Sequence, residues 1–360
     1  MTDVLVAPYL PLQQREIVGP WELIPRSALT TDDVSEPRLL EAVPQLLDAY
    51  RPLSSNSATF GVIIRPSAGK VGDSFDRTAP AFLRYALLAA ALDTNPSRLA
   101  PEEDRTGNEG HESLTSDNVL IYGHPLNDGG WVADQYGAMV TILVGGMRLG
   151  EPGARFEQPG ELVIPALSTR FDGIYATAVY EEIVKGTPVS RRMARALDWL
   201  GMAWRNTSAL DISTRIVALR AGFEVLLGVG DTTKVIRDAL GQLMNPPDAP
   251  RTKHTWTDHG KLKGPFELTS IEWWFQCFSI LRNSIMHGDE IAATTWQHGE
   301  HHHVWIAEDN LRKAIKETLI SAGHPEDLRD DPGQRLLARR ISQRLSELPD
   351  PSQQTSQGAS

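Results

Sequence analysis

The sequence contains a single cysteine, Cys277, among 360 residues. This excludes a disulfide framework and any metal site built from several thiolates. No apolar run reaches the length of about eighteen residues that a membrane-spanning helix needs. The first residues lack a basic flank followed by an apolar segment, so no secretory signal is expected. These absences predict a soluble, intracellular, cytoplasmic protein that makes no membrane contact.

An excess of basic residues is also missing. The formal net charge is −11, from 35 Lys and Arg against 46 Asp and Glu, which argues against a protein that coats nucleic acid without sequence preference. Residues 1–165 carry 12 Lys and Arg against 22 Asp and Glu, whereas residues 166–360 carry 23 against 24. The composition therefore leaves room for a local basic groove in the second part, and we interpret the acidic first part as a solubilising surface rather than one with a specific role.

Glycine motifs that bind nucleotide phosphates are absent as well. Gly69-Lys70 is not a P-loop, because Val71 replaces the required Ser or Thr and no glycine lies five residues before Gly69. No Gly-x-Gly-x-x-Gly element follows a predicted strand, so dinucleotide binding is not expected. We expect no cofactor.

The first part of the chain shows the patterns of a mixed α/β domain, which we place at residues 1–165. Short β-branched runs predict strands, and longer apolar stretches predict helices. The predicted strands are Thr59–Ile64, Asn118–Tyr122 and Ala138–Val144, and the predicted helices are Glu36–Tyr50 and Ala79–Leu92. We interpret the polar segment Asn95–Asn118 as an exposed loop and the Gly- and Pro-rich segment Gly145–Gly160 as an interdomain connection.

From residue 166 to 346 the apolar spacing predicts successive helices with short connections, which is typical of an antiparallel bundle. The predicted helices are Phe171–Val184, Arg191–Asn206, Asp211–Leu227, one capped by Asp231 and ended by Pro246, one starting after Thr269, then Asn310–Ala322 and Pro332–Leu345. The predicted fold class is α+β overall: an N-terminal mixed α/β domain followed by an all-α bundle. The Ser- and Gln-rich tail, residues 347–360, is predicted to be disordered.

The helix after Thr269 carries the chemically informative residues. Thr269-Ser-Ile-Glu272 is a capping-box pattern that sets its start, and Gly288 stands where a C-terminal glycine cap is expected. Its last turns hold Arg282, Asn283 and His287.

This combination suits phosphodiester cleavage. A guanidinium holds a phosphate oxygen, and an imidazole moves a proton near neutral pH. RNA supplies its own nucleophile, the 2′-hydroxyl, so cleavage needs no metal in principle.

The element Arg282-Asn-Ser-Ile-Met-His287, at the end of a late helix in a helical unit, resembles the Arg-x4–6-His signature of the HEPN superfamily. The flanking segments Arg191–Leu200 and Arg215–Leu227 resemble the ApeA-like variant, and the resemblance covers roughly residues 185–325. It implies a helical bundle that usually forms a homodimer, with the elements of two protomers facing one cleft. Active members are metal-independent endoribonucleases, often in toxin or antiphage-defence systems, so RNA is the implied partner.

Residue roles follow from the same resemblance. Arg282 would stabilise the pentavalent phosphate, His287 would act as general acid or base, and Asn283 would position the backbone. Glu224 matches a glutamate that recurs in the second helix of ApeA-like members and would be an orienting residue. The N-terminal domain would sense a trigger, such as a phage component or a regulatory partner, or restrain the activity.

Two other interpretations stay open. In one, Arg282 and His287 only cap the helix and pair with carboxylates. In the other, the domain is a non-catalytic HEPN module that binds RNA, a nucleotide or a partner protein. The enzyme interpretation requires Arg282 and His287 to lie near one another, or to face their copies in a second chain, in an open cleft.

A loop of about twenty residues is predicted from Asn245 to Leu268, longer than most connections in compact domains. It interleaves cations with an aromatic residue, a combination that grips single-stranded RNA. The candidate RNA-binding residues are Arg251, Lys253, Trp256, Lys261 and Lys263. A solvated mobile loop is an equally good interpretation.

Four histidines, His298, His301, His302 and His303, lie close together. A structural zinc site normally has four ligands at defined spacing, and this segment has neither a thiolate nor a His-Glu-x-x-His pattern. We interpret it as an exposed polar turn rather than a metal site, with a histidine metalloprotein as the weakest alternative.

The helix after Thr269 also carries two tryptophans and the single cysteine. Trp273 and Trp274 are predicted to lie in the core or at a dimer interface. Cys277 is predicted to be an inert buried thiol.

Overall fold

The computed structural model describes residues 2–12, 14–50, 61–76, 78–93, 116–127, 130–131, 134–136, 172–205, 211–258, 261–299 and 301–330. They form a mixed α+β fold. The strands are β1 (Thr2–Ala7), β2 (Glu16–Val18), β3 (Trp21–Pro25), β4 (Val62–Pro66), β5 (Ile121–Asn127), β6 (Gly130–Trp131), β7 (Asp134–Tyr136), β8 (Thr252–Asp258), β9 (Lys261–Leu268), β10 (Gln297–His298) and β11 (His301–His302). The helices are α1 (Leu39–Ala49), α2 (Ala79–Asp93), α3 (Gly173–Val184), α4 (Pro188–Ala203), α5 (Ile212–Leu227), α6 (Thr233–Met244), α7 (Ser270–His287) and α8 (His303–Ser321).

The first seven strands form one sheet with the order β2-β3-β4-β1-β5-β6, and β7 also pairs with β5. Every pairing between these strands is antiparallel. The predicted strand Thr59–Ile64 corresponds to β4, and the predicted helices Glu36–Tyr50 and Ala79–Leu92 correspond to α1 and α2. The sequence prediction did not include β1, β2 and β3.

Alternate residues of the central strands point to opposite faces of the sheet. On β1, Val4 and Val6 pack in the core that contains α1, whereas Leu5 and Ala7 pack in the core that contains α2. The α2 core is the larger one and continues into the helices that follow. It includes Val179 of α3, and the sheet and α3 are further joined by a hydrogen bond from the Trp21 indole to the Tyr180 hydroxyl.

The five consecutive helices α3 to α7 follow the predicted pattern within a few residues. Asp and Thr side chains cap all five N-termini, as expected for these residues: Asp172 caps α3, Thr187 caps α4, Asp211 caps α5, Thr232 caps α6 and Thr269 caps α7. The prediction for α6 was wrong by one residue, because Thr232 rather than Asp231 accepts the hydrogen bond from the backbone N–H of Val235.

Two predictions for the second part were wrong. The segment predicted as a loop from Asn245 to Leu268 contains the antiparallel hairpin β8–β9, so this part of the chain is not all-α. Thr255 and Thr257 flank Trp256 in this strand, and β-branched and aromatic residues favour strands. Helix α8 begins at His303 and not near Asn310, because the side chain of His302 caps it.

Several predicted features lie partly or wholly outside the described residues. They are Ala138–Val144, Gly145–Gly160, Pro332–Leu345, the tail 347–360 and the domain boundary at 165, which stays a prediction. Most of the predicted loop Asn95–Asn118 is also outside, but its end is not exposed, since Ser116, Asp117 and Asn118 are buried. No helix in the described ranges is long and apolar enough to cross a membrane.

Candidate functional site

Helix α7 carries the candidate catalytic residues, and its start is fixed as predicted. The Thr269 hydroxyl accepts a hydrogen bond from the Glu272 backbone N–H, and the Glu272 carboxylate accepts one from the Thr269 N–H at 2.8 Å. This reciprocal capping box satisfies two backbone donors that the helix leaves unpaired. Glu272 is also paired with Arg251 at 3.0 Å.

The end of α7 is fixed by a glycine. Gly288 adopts a left-handed conformation (φ 71°, ψ 27°), and its N–H donates to the Ile285 carbonyl while the Asp289 N–H donates to the Ser284 carbonyl. This is the Schellman arrangement that closes a helix. It places His287, which is exposed, as the last helical residue.

The guanidinium of Arg282 is half-buried near this end. Its Nη1 donates to the Asn283 side-chain oxygen at 3.2 Å, whereas its Nε is buried without a hydrogen-bond acceptor. In the described part of the chain, no carboxylate forms an ion pair with it. A buried cationic donor without an acceptor is costly unless an external anion completes it.

A second guanidinium, which the sequence analysis missed, lies beside the first. Arg220 of α5 is buried; its Nη1 donates to Glu224 at 2.8 Å, its Nε donates to the Ser279 hydroxyl at 3.3 Å, and its guanidinium covers the Phe275 ring. Burial lowers the pKa of Arg220, the Glu224 carboxylate opposes this, and the positive charge of Arg282 lowers the pKa further. The two arginines therefore interact electrostatically across the α5–α7 contact.

The site thus combines two guanidiniums with the carboxylate of Glu224, which is partly exposed. Arg220 is bonded to Glu224 on α5 and to Ser279 on α7, about one turn before Arg282 and Asn283, and His287 follows five residues after Arg282 at the exposed end of the same helix. Such a partly desolvated, net cationic cluster is suited to bind phosphate. The spacing of Arg220 and Glu224, four residues apart on one helix face, was the available sequence signal.

The hairpin β8–β9 presents an aromatic cluster made of His254, Trp256, Phe266 and Trp273. The Trp256 ring lies 5.0 Å from Phe266 and 6.2 Å from Trp273, measured between centroids. Phe266 is 45% exposed. Trp274 lies in the core as predicted, whereas Trp273 is half-buried and packs against the hairpin; of the two predicted places for Trp273, core or dimer interface, the second stays a prediction.

The predicted RNA-binding cations of the hairpin differ in the residues that lie beside them. Arg251 is occupied, because it donates to the Glu267 carbonyl and the Glu272 carboxylate. Lys253 pairs in register with Glu267 and Lys261 with Asp258, whereas Lys263 is paired with Trp256. Lys263 is therefore the cation best placed to accompany a base stacked on the aromatic cluster.

The four clustered histidines do not form the single exposed turn that we predicted. His298 and His301 pair in the short ribbon β10–β11, and His302 caps α8. His303 is buried, and burial, together with His298 and His302, lowers its pKa to about 3.

Among the residues that the structure describes, no group of three or more His, Cys, Asp and Glu side chains is arranged to hold a metal ion. Burial raises the pKa of Cys277 to about 12, so its thiol is neutral near pH 7.

The chain was compared with family models, curated proteins and solved structures, and no match was found in any of the three.

Proposed function

We propose that this protein is a metal-independent endoribonuclease of HEPN type, acting in a defence or toxin context. One observation carries the proposal: Arg282 is half-buried beside Arg220, has no carboxylate partner in the described ranges, and precedes an exposed histidine at a glycine-capped helix end. The partly exposed remainder of the Arg282 guanidinium is available to a phosphate group, and the histidine is placed to transfer protons near it.

The chemistry assigned to these residues is transesterification within RNA. The 2′-oxygen attacks the adjacent phosphorus and loses its proton, the bond to the 5′-oxygen breaks, and that oxygen gains a proton. Arg282 stabilises the charge on the non-bridging oxygens, and His287 transfers one of the protons. Asn283 holds the guanidinium through its 3.2 Å hydrogen bond.

A homodimer through the helical part is also proposed, since the family resemblance implies a cleft shared by two protomers. The structural support is Met286, the neighbour of His287, which is 56% exposed. The first part of the chain is proposed to sense a trigger and to pass the signal to the helices. The route would be the contact of β3 and the turn before it with α3, which includes two hydrogen bonds.

Cleavage of a labelled mixed-sequence RNA in excess EDTA tests the proposal. We expect wild type and the exposed-histidine control His301→Ala to cut RNA, and the folded variants His287→Ala and Arg282→Ala to be slower by about a hundredfold or more. The products should end in a 2′,3′-cyclic phosphate.

Equal cleavage by wild type and both site variants would contradict the assignment. Binding of RNA without cleavage, with or without phage components, would identify the non-catalytic module instead.

A further inference from the structure

The Arg220–Glu224 ion pair is held rigidly on α5. The side chain of Arg220 is only 4% exposed, and it is bonded to Ser279 as well as to Glu224. An aromatic ring lies 5.0 Å from the guanidinium carbon on a third side. Arg220 therefore has protein partners at two of its nitrogens, one of them the carboxylate of Glu224, whereas Arg282 has no carboxylate partner among the described residues.

Within this cluster, the carboxylate of Glu224 forms its ion pair with Arg220. Arg220 is bonded to Glu224 of α5 and to Ser279 of α7, and Ser279 lies three residues before Arg282 on one face of that helix, so the Arg220–Glu224 pair and Arg282 lie at the same stretch of the α5–α7 contact. If Arg220 were replaced by a neutral side chain, the Glu224 carboxylate would lose its cation and become available to Arg282. An ion pair in a partly desolvated site would then neutralise the guanidinium that the proposed reaction needs.

We propose that Arg220 is a positioning residue: by holding the carboxylate of Glu224, it leaves the Arg282 guanidinium without a protein counter-ion and available to a phosphate of single-stranded RNA. The inference rests on the proposed function, since it assigns the ligand of the same site. It adds a role for a residue that itself contacts neither the phosphate nor the reacting atoms.

Binding of a 2′-O-methyl RNA strand by the full chain in EDTA tests this role, because that strand has no free 2′-hydroxyl and is not cut. We expect Arg220→Met to raise the dissociation constant about tenfold. The slope of log affinity against log salt should fall by about 0.7, the loss of one phosphate contact. Both values should return to within about twofold of wild type in the double variant Arg220→Met/Glu224→Gln, in which the freed carboxylate is also removed.

Arg237→Met is the matched control. Arg237 is another buried arginine that hydrogen-bonds to α7, through Gln276, but it lies outside the cluster. Its loss should leave the salt slope unchanged, so a general loosening of α7 is separated from loss of the phosphate contact. Melting curves establish that each variant is folded.

Three results would overturn the proposal: no weakening by Arg220→Met, an equal loss in the single and double variants, or weaker binding by Glu224→Gln alone. Glu224→Gln also decides the matter if Arg220→Met does not fold, because removing one negative charge should tighten binding. If wild type binds the 2′-O-methyl strand but leaves unmodified RNA intact, the ribonuclease proposal fails and the positioning role of Arg220 stands. If wild type does not bind the strand, the positioning role of Arg220 fails.

Discussion

The imidazole of His254 stacks on the indole of Trp273, with ring centroids 4.4 Å apart and 14° between the planes. Trp273 belongs to α7, the helix that carries the candidate catalytic residues, whereas His254 belongs to the hairpin. Trp273 lies near the N-terminal end of α7, and His287 is the last residue of this helix. The contact therefore fixes the hairpin to the end of α7 that is far from His287. Trp256 contacts Phe266 and Trp273, so it belongs to the same aromatic surface.

Trp256→Ala is predicted to weaken the binding of a single-stranded RNA by about tenfold, because one stacked base is worth about 1–3 kcal/mol. Fluorescence anisotropy with a 2′-O-methyl strand measures the effect. Trp199→Ala, which removes a half-buried indole of α4 instead of one in the aromatic cluster, is the control. Equal affinities of Trp256→Ala and wild type would show that RNA does not use this surface.

Lysines of the hairpin should differ in their contribution to RNA binding. Lys263→Ala is predicted to weaken binding several-fold and to reduce the salt dependence, whereas Lys253→Ala should have a smaller effect because Glu267 is its register partner. The same titrations at several salt concentrations give both values. A larger effect of Lys253→Ala would contradict the assignment.

Gly288→Ala should lower the free energy of unfolding by about 1 kcal/mol, because a β-carbon is disfavoured in the left-handed region. No atom lies within 4 Å of the added carbon, so the effect is conformational. The control is Gly323→Ala, which disrupts the same cap at the end of α8 with similar free space. We expect similar losses of stability but a loss of RNA cleavage only for Gly288→Ala, which displaces His287; equal activities would argue against His287.

Stability should fall in mild acid because of His303. Its pKa is lowered to about 3 in the folded protein from an ordinary value of 6.5, so the unfolded chain binds the extra proton first. The stabilising contribution is complete above pH 6.5 and is lost as the pH falls from there towards 3.

We therefore expect wild type to lose about 1.3 kcal/mol more than His303→Leu between pH 7 and pH 5.5. Urea denaturation at the two pH values measures the difference. His301→Leu, at an exposed position, should behave like wild type. Parallel losses in wild type and His303→Leu would rule out this cause.

Arg251→Ala is predicted to cost about 1 kcal/mol of stability, because it removes the cation beside the buried carboxylate of Glu272. RNA affinity should change by less than about twofold, since Arg251 is already engaged within the protein. Chemical denaturation and anisotropy together check both statements. A tenfold loss of affinity at unchanged stability would restore Arg251 as an RNA contact.

Sequence patterns predicted the helices α3 to α7 well because each of these helices has both an apolar face and a local start signal. The capping box at Thr269 and the glycine at 288 depend on neighbours within four residues, so they are visible in the sequence. The start of α8 was not visible, since a histidine is an uncommon cap. Strands β1 and β3 were missed because they pair with β4 and β5, far away in the sequence.

The candidate site was predictable only in part for the same reason. Arg282, Asn283 and His287 lie within one turn or two of a single helix, so their spacing identifies them. Arg220 gains its significance from Ser279 and Arg282, about sixty residues later in the chain. Contacts between residues so far apart in the sequence leave no local sequence pattern. The aromatic surface was missed for the same reason, because it joins residues of the hairpin to Trp273 of α7.

The larger hydrophobic core contains side chains of β1, α2, α3 and the helices up to α8. Residues on both sides of the predicted boundary therefore cover one another's apolar surface, and neither part can lose its packing without exposing the other. Heating should produce one calorimetric transition, with equal van't Hoff and calorimetric enthalpies, instead of two. Helices α3 to α8 are for this reason not an independent folding unit: a chain cut near residue 165 would lack part of the side chains that line its own core.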